Sequence, residues 1–178
     1  MPMGITSENV AEKYGINRET QDKMAVESHA KAANAMKNGW LQSEITPYKS
    51  FVLDKEGNQQ EILVDKDEGV REGTSLASLG KLKPAFKPGG TTTAGNSSQV
   101  TDGAAAVLLA RRSVANKLGL KIIGRIIAYN VSGVPPEIMG IGPAVAIPNA
   151  LKKAGLSVND VDVYEVNEAF ASQATYSV

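Results

Sequence analysis

Apolar positions fall into two textures along the chain. Residues 1–100 are polar and punctuated, with helix-like spacing early, whereas from Asp102 onward short apolar blocks alternate with helical segments. Thr6 or Ser7 is placed to cap a short helix that runs through Tyr14 and stops at Gly15. Asn17 caps a longer helix, Arg18 to about Lys37, ended by Asn38-Gly39. Its small or apolar residues Ala25, Ala32, Ala33 and Met36 suit close packing against a neighbour. Two β-type stretches follow, Glu44–Leu53 and Gln60–Val64; the turn residues Asp54–Asn58 between them predict a hairpin or an excursion on the surface. Residues 65–103 hold no long periodic segment. Their densest run of turn formers is Pro88–Ser98, and an ordered loop of that length is usually either functional or disordered.

In the second texture, Ala104–Ala110 (AAAVLLA) is either a buried strand or a helix start, and Ser113–Leu118 is helical. Lys121–Val131 (KIIGRIIAYNV) predicts a β-rich strand, followed by a Pro/Gly loop, Gly133–Pro143. Pro143 opens a helix to Lys153 with Gly155 as its stop. Val161–Val166 predicts a short strand, and Asn167–Ala171 turns into a last helix. Strands alternating with helices predict an α/β fold with a largely parallel sheet.

Composition narrows the classes. The 178 residues carry 19 Lys+Arg against 19 Asp+Glu, one His and no Cys. That length buries a sizeable core. Zero net charge argues against a broad basic footprint for nucleic acid or an anionic membrane. No apolar run reaches the roughly 20 residues that cross a bilayer. Met1-Pro2-Met3-Gly4 carries no signal-peptide pattern, and Tyr176-Ser177-Val178 is no recognised address. Without Cys there is no disulfide, no thiolate metal site and no cysteine nucleophile on this chain.

Local motifs are weak taken singly. Gly73–Leu82 (GTSLASLGKL) fails as a phosphate loop, because the glycines are too far apart and Leu82 stands where Ser or Thr is required. Asn96-Ser97-Ser98 and Asn130-Val131-Ser132 match the glycosylation pattern by chance. His29 reads as a surface or packing histidine. Arg71, Lys81, Lys83 and Lys87 form a loose basic set, by default a solvated face, with phosphate binding as the alternative. The loop Thr91–Asp102 offers backbone N–H groups and hydroxyls without bulky side chains, which suits either a ligand lying along it or an ordinary connection. Asn167 stands where a strand ends and a helix begins. It reads locally as a helix N-cap with Glu168 in the first turn; the alternative is an amide aimed at a ligand oxygen.

Read together, five segments in order resemble the thiolase family. They are Met3–Ala11 (MGITSENVA), Lys81–Phe86 (KLKPAF), Thr91–Leu109 (TTTAGNSSQVTDGAAAVLL), Gly133–Pro143 (GVPPEIMGIGP) and Val166–Gln173 (VNEAFASQ). The forms GNSSQ, LLARRS and IMGIGPAVAIP look most like the peroxisomal 3-ketoacyl-CoA members. The resemblance implies thiolytic cleavage of a 3-ketoacyl-CoA by CoA, giving acetyl-CoA and a shortened acyl-CoA, through a cysteine acyl-enzyme. It implies CoA as substrate, with no cofactor and no metal. For the intact parent it also implies a homodimer, peroxisomal location, no nucleic acid and no membrane span.

By the same resemblance Asn167 matches the asparagine that holds an oxyanion-hole water, and Met139 an apolar residue of the acyl pocket. Arg71, Ser78 and Ser98 match CoA-holding positions, with Arg71 near the nucleotide end and Ser98 at the pantetheine. Ala94, Gly95, Ala169 and Phe170 match the pantetheine tunnel, and Met3 another CoA contact, although Pro2 stands where some relatives carry histidine. The family fold is two similar βαβαβαββ halves in five αβαβα layers, with a long loop domain in the first. This chain then corresponds to part of the loop domain (1–100), the end of the first half (101–121) and the start of the second (122–178). The family's nucleophilic cysteine belongs before Met1, and its Gly-His-Pro histidine and second cysteine after Val178. The expectation is therefore an internal piece of a thiolase, inactive alone, with sheet edges left unpaired. The alternatives are an inactive CoA-binding module or partner subunit, and a piece of a biosynthetic acetoacetyl-CoA thiolase.

Overall fold

The computed structural model describes residues 1–101 and 103–178; Asp102, at the predicted change of texture and the end of the predicted loop, lies outside the described residues. Helix α1 spans Met3–Tyr14 and ends at Gly15, whose φ of 68° is the left-handed conformation a glycine adopts without penalty. It starts earlier than the hydroxyl pattern predicts. Pro2, extended with φ −62°, precedes the first turn, and Thr6 and Ser7 are buried inside the helix. Thr6 Oγ1 donates back to the Met3 carbonyl at 2.7 Å, and Ser7 is committed to contacts with other segments.

Helix α2, Arg18–Lys37, begins as its sequence dictates: Asn17 Oδ1 accepts the Thr20 N–H at 2.8 Å. Beyond Lys37 the chain does not extend at once. Trp40 N–H donates to the Ala35 carbonyl and Glu44 N–H to that of Leu41, so the predicted strand start at Glu44 is occupied by turns. Strands β1 (Tyr48–Leu53) and β2 (Gln59–Val64) form the antiparallel hairpin, with Tyr48 opposite Val64 and Leu53 opposite Gln59.

The remaining helices are short apart from one. A single turn, α3, covers Leu76–Leu79, and α4 covers Arg112–Lys117. A 3-10 segment, Pro136–Ile141, runs into α5, Gly142–Ala154, which stops at Gly155 with φ 71°. A 3-10 turn at Val158–Asp160 precedes α6, Ala171–Ser177. No helix among the described residues is long and apolar enough to cross a membrane.

The apolar core lies where α1, the 3-10 segment and α6 meet. Val10, Ile138 and Ile141 are buried there, and Tyr14, Ile16, Val134 and Tyr176 pack around them. The Tyr14 and Tyr176 ring centroids are 4.0 Å apart. Each fully buried aliphatic side chain of this kind contributes about 1.5–3 kcal/mol.

The expected parallel sheet is not formed: among the described residues the only sheet is β1–β2. Ala104–Ala110, Lys121–Val131 and Val161–Val166 run without ladder partners. A strand is defined by pairing, and these blocks have neither a paired neighbour nor a covering layer. Leu108 is 82% exposed, Ile123 96% and Val131 86%.

Candidate functional site

The site is built around loop 91–98, which polar side chains of two helices hold from below. From α1, the buried Glu8 carboxylate accepts the Thr91 and Thr92 N–H groups at 2.8–3.0 Å and the Thr91 hydroxyl at 3.2 Å. A Cβ on Gly90 would fall on that carboxylate, so only glycine lets the chain approach this closely. From α2, Gln21 Nε2 donates to Thr91 Oγ1 at 2.9 Å. Buried Asn96 closes the loop on itself: its amide oxygen accepts the Thr93 N–H at 2.8 Å, and its amide nitrogen donates to the Thr91 carbonyl and to Asp22 Oδ1, both at 3.0 Å. Asp22 in turn pairs with Arg18 at 2.7 Å, and Arg18 donates to the Leu79 and Leu82 carbonyls. A Cβ on Gly95 would meet the Leu79 and Leu82 side chains. These buried polar groups are satisfied largely by one another, which fixes the loop in one conformation.

The loop also ties to the segment entering α6. Ser98 N–H donates to the Ala169 carbonyl at 2.9 Å, and Ala171 N–H to the Asn96 carbonyl at 3.0 Å, with Ser97 bridging Phe170. The first orphan donor of α6 is thus satisfied by the loop rather than by a side-chain cap. Below, the Ser172 hydroxyl donates to the Ser7 carbonyl at 3.1 Å, and Ser7 Oγ lies 2.8 Å from both Thr92 Oγ1 and Ser172 Oγ.

This corrects the local reading of Asn167. The helix begins at Ala171 with Phe170 flanking it, so Asn167 is no N-cap. Glu168 is not in a first turn; it accepts the Ser28 hydroxyl of α2 at 2.6 Å.

Asn167 is exposed on an open cleft of about 600 Å³ between α2, the loop and residues 164–168. Gly95 and Ser98 line the same cleft, so three of the residues singled out in the sequence are brought together. Arg71 lines an adjoining cavity of about 260 Å³ with Lys37 and Thr74. His29 is in the wall of both, and its Nδ1 accepts the Arg71 N–H at 3.3 Å. Ala169 faces Ser98 through the hydrogen bond already described. The Phe170 ring stands edge-to-face with Phe86, centroids 6.4 Å apart at 83°. Phe86 also lies against Gly4 of α1, where a Cβ would enter its ring.

Ser78, Met3, Met139, Ala94, Ala169 and Phe170 line neither cavity. The Ser78 hydroxyl donates to the Ser75 carbonyl in the capping box of α3. Met3 and Met139 are exposed on α1 and the 3-10 segment, and Ala94 is exposed on the loop. The basic set does not converge, because Lys87 pairs with Glu12 at 2.7 Å. That hydrogen bond holds the Glu12 carboxyl below its ordinary value and raises the Lys87 ammonium.

Sequence reading missed Met24, Ser28 and His29 as wall residues, although Met24, Ala25, Ser28, His29 and Ala32 share one helical face.

Residues 1–113 match the thiolase N-terminal domain and residues 120–178 the thiolase C-terminal domain, and the chain belongs to the thiolase family. It is similar to peroxisomal 3-ketoacyl-CoA thiolase B of Rattus norvegicus, 63% identical over 178 residues, which is 100% of this chain and 42% of that protein. The peroxisomal 3-ketoacyl-CoA thiolase of Homo sapiens is 62% identical over 178 residues, again 100% of this chain and 42% of that protein. Among solved structures, the acetyl-CoA acetyltransferase of Bacillus anthracis superposes with a TM-score of 0.91 at 41% identity, covering 99% of this chain and 44% of that one. The dimeric peroxisomal thiolase of Saccharomyces cerevisiae gives 0.89 at 50% identity, covering 99% and 43%. The fold is therefore a partial thiolase fold of helices and a small sheet, and the chain spans about two fifths of the length of the relatives it matches.

Proposed function

We propose that this chain is the CoA-binding wall of a peroxisomal 3-ketoacyl-CoA thiolase, which cleaves a 3-ketoacyl-CoA with CoA to acetyl-CoA and a shortened acyl-CoA. The observation that carries this reading is the convergence of Gly95, Ser98 and Asn167 on one cleft, with Arg71 in the adjoining cavity. In this reading the pantetheine lies along the loop at Ser98, walled by Ala94, Gly95, Ala169 and Phe170, and Arg71 meets the nucleotide end. Ser78 and Met3 supply outer contacts, and Met139 the acyl pocket. Asn167 holds a water whose proton faces the developing oxyanion, since an amide donates and accepts without changing charge. The peroxisomal names of the relatives support that location, and the dimeric yeast structure supports a homodimer for the whole protein.

The acyl-enzyme chemistry needs a cysteine thiolate, and these 178 residues contain no Cys. The chain therefore binds and orients CoA without turning over. The working domains are a CoA-binding loop part (1–100), the end of one half (101–121) and the start of another (122–178). A thiolysis assay on this polypeptide, following loss of the Mg-enolate absorbance of acetoacetyl-CoA, is expected to show no turnover. Robust turnover would overturn the reading. In a whole protein containing this chain, activity on long-chain 3-ketoacyl-CoA separates the degradative reading from a biosynthetic one confined to acetoacetyl-CoA.

A further inference from the structure

We propose that Asn96 is a positioning residue: clamped by Asp22 of α2, it sets the spacing between the Ser98 end of the loop and the Asn167–Ala171 segment. The inference rests on the CoA-binding reading and adds the device that holds its two walls together.

The geometry concentrates on this one side chain. The Asn96 amide uses its oxygen on Thr93 N–H and its nitrogen on Thr91 O and Asp22 Oδ1. Its own carbonyl accepts the Ala171 N–H, and two residues on Ser98 N–H reaches Ala169 O. Rotation of this amide would leave the Thr93 N–H, the Thr91 carbonyl and one oxygen of the Asp22 carboxylate without this partner, so the amide has one acceptable orientation. Asp22 is itself fixed by Arg18, whose guanidinium also donates to the carbonyls of Leu79 and Leu82, and the side chains of these two leucines face Gly95. Between one and two turns further along α2, Ser28 donates to Glu168, the neighbour of Asn167. Helix α2 therefore holds both walls, and Asn96 is the point where they join. A small movement of its carbonyl transfers to the Ala171 N–H and to everything upstream of it.

The test is amide hydrogen exchange on the full 178-residue chain, which needs no ligand, joined to CoA titration. In Asn96→Ala, exchange of the Ser98 and Ala171 amides is expected to accelerate about tenfold or more while the β1–β2 amides keep their protection. Asn96→Asp places a carboxylate against Asp22 and should do the same. Adding Asp22→Asn to Asn96→Asp restores a donor–acceptor pair at the Asp22 contact, while the Thr91 carbonyl stays without its donor, and should recover part of the protection lost in Asn96→Asp, a rescue that simple loss of packing would not give. CoA affinity should fall about tenfold in the single variants and recover in part in the pair. Unchanged Ser98 and Ala171 protection in Asn96→Ala overturns the proposal. If Asn96→Ala unfolds as a whole, the Asp22→Asn, Asn96→Asp pair decides, and protection no higher than in Asn96→Asp alone overturns the proposal. If the unaltered chain does not bind CoA, the functional reading fails while exchange still decides the positioning claim.

Discussion

The Glu8 carboxylate of α1 receives the N–H groups of both Thr91 and Thr92, 83 and 84 residues further along the chain, at 2.8–3.0 Å. This buried bond set is what turns a Gly/Thr/Ser-rich stretch, otherwise free to be disordered, into an ordered wall. Replacing Glu8 by Gln leaves one oxygen for the Thr91 and Thr92 N–H groups and turns the other into an NH2 that faces the Thr91 N–H and hydroxyl, both donors to the carboxylate. The expected loss is about 1–3 kcal/mol of unfolding free energy. Urea denaturation followed by circular dichroism measures it, and a midpoint equal to that of the unaltered chain would remove Glu8 from this role.

Gly4 and Phe86 make a second long-range contact with a steric sign. A methyl at Gly4 overlaps the Phe86 ring, which must then leave its edge-to-face contact with Phe170. Gly4→Ala should cost about 1–3 kcal/mol through overpacking. Adding Phe86→Leu, which removes the ring, should return part of that loss; additive losses in the double variant would contradict the contact.

In the hairpin turn, Asp54 accepts the N–H groups of Asn58 and Glu56 at 2.9 Å each, and the Asn58 and Gln60 side-chain amides beside it. These donors, the Asn58 N–H foremost, hold its carboxyl below the ordinary aspartate range. A depressed folded value means that the contribution is fully present above the unfolded pKa of about 3.9 and is lost as pH falls through the lower folded one. An NMR titration of the Asp54 carboxyl should therefore show its midpoint below the unfolded value, with Glu56 and Asn58 amide shifts moving together with it. A midpoint at or above the unfolded value contradicts the turn geometry.

Some of this architecture is written locally and some is not. Asn17, Gly15 and Gly155 delimit helices through their own side chains or backbone freedom, so α1, α2 and α5 end or begin where single residues say they should. The start of α1 is not legible in the same way, because Thr6 and Ser7 have cap-like chemistry but spend it on Met3, Thr92 and Ser172. Asn167 was readable as a residue at a segment boundary. Its distance from the helix start depends on the Asn96 carbonyl capping Ala171, a contact between residues 75 positions apart that no local pattern encodes. The apolar blocks at Lys121–Val131 and Val161–Val166 have strand composition, yet composition supplies no partner, and they remain outside any ladder with most of their side chains exposed.

The cleft joining Ser98 to Asn167 carries the functional account, and a calorimetric titration of the full chain with CoA tests it most directly. The predicted result is saturable heat with a Kd of about 1 mM or tighter, weakened about tenfold or more by Ser98→Ala and by Arg71→Ala while the β1–β2 fold is retained. No heat at millimolar CoA, or binding indifferent to both substitutions, would contradict it.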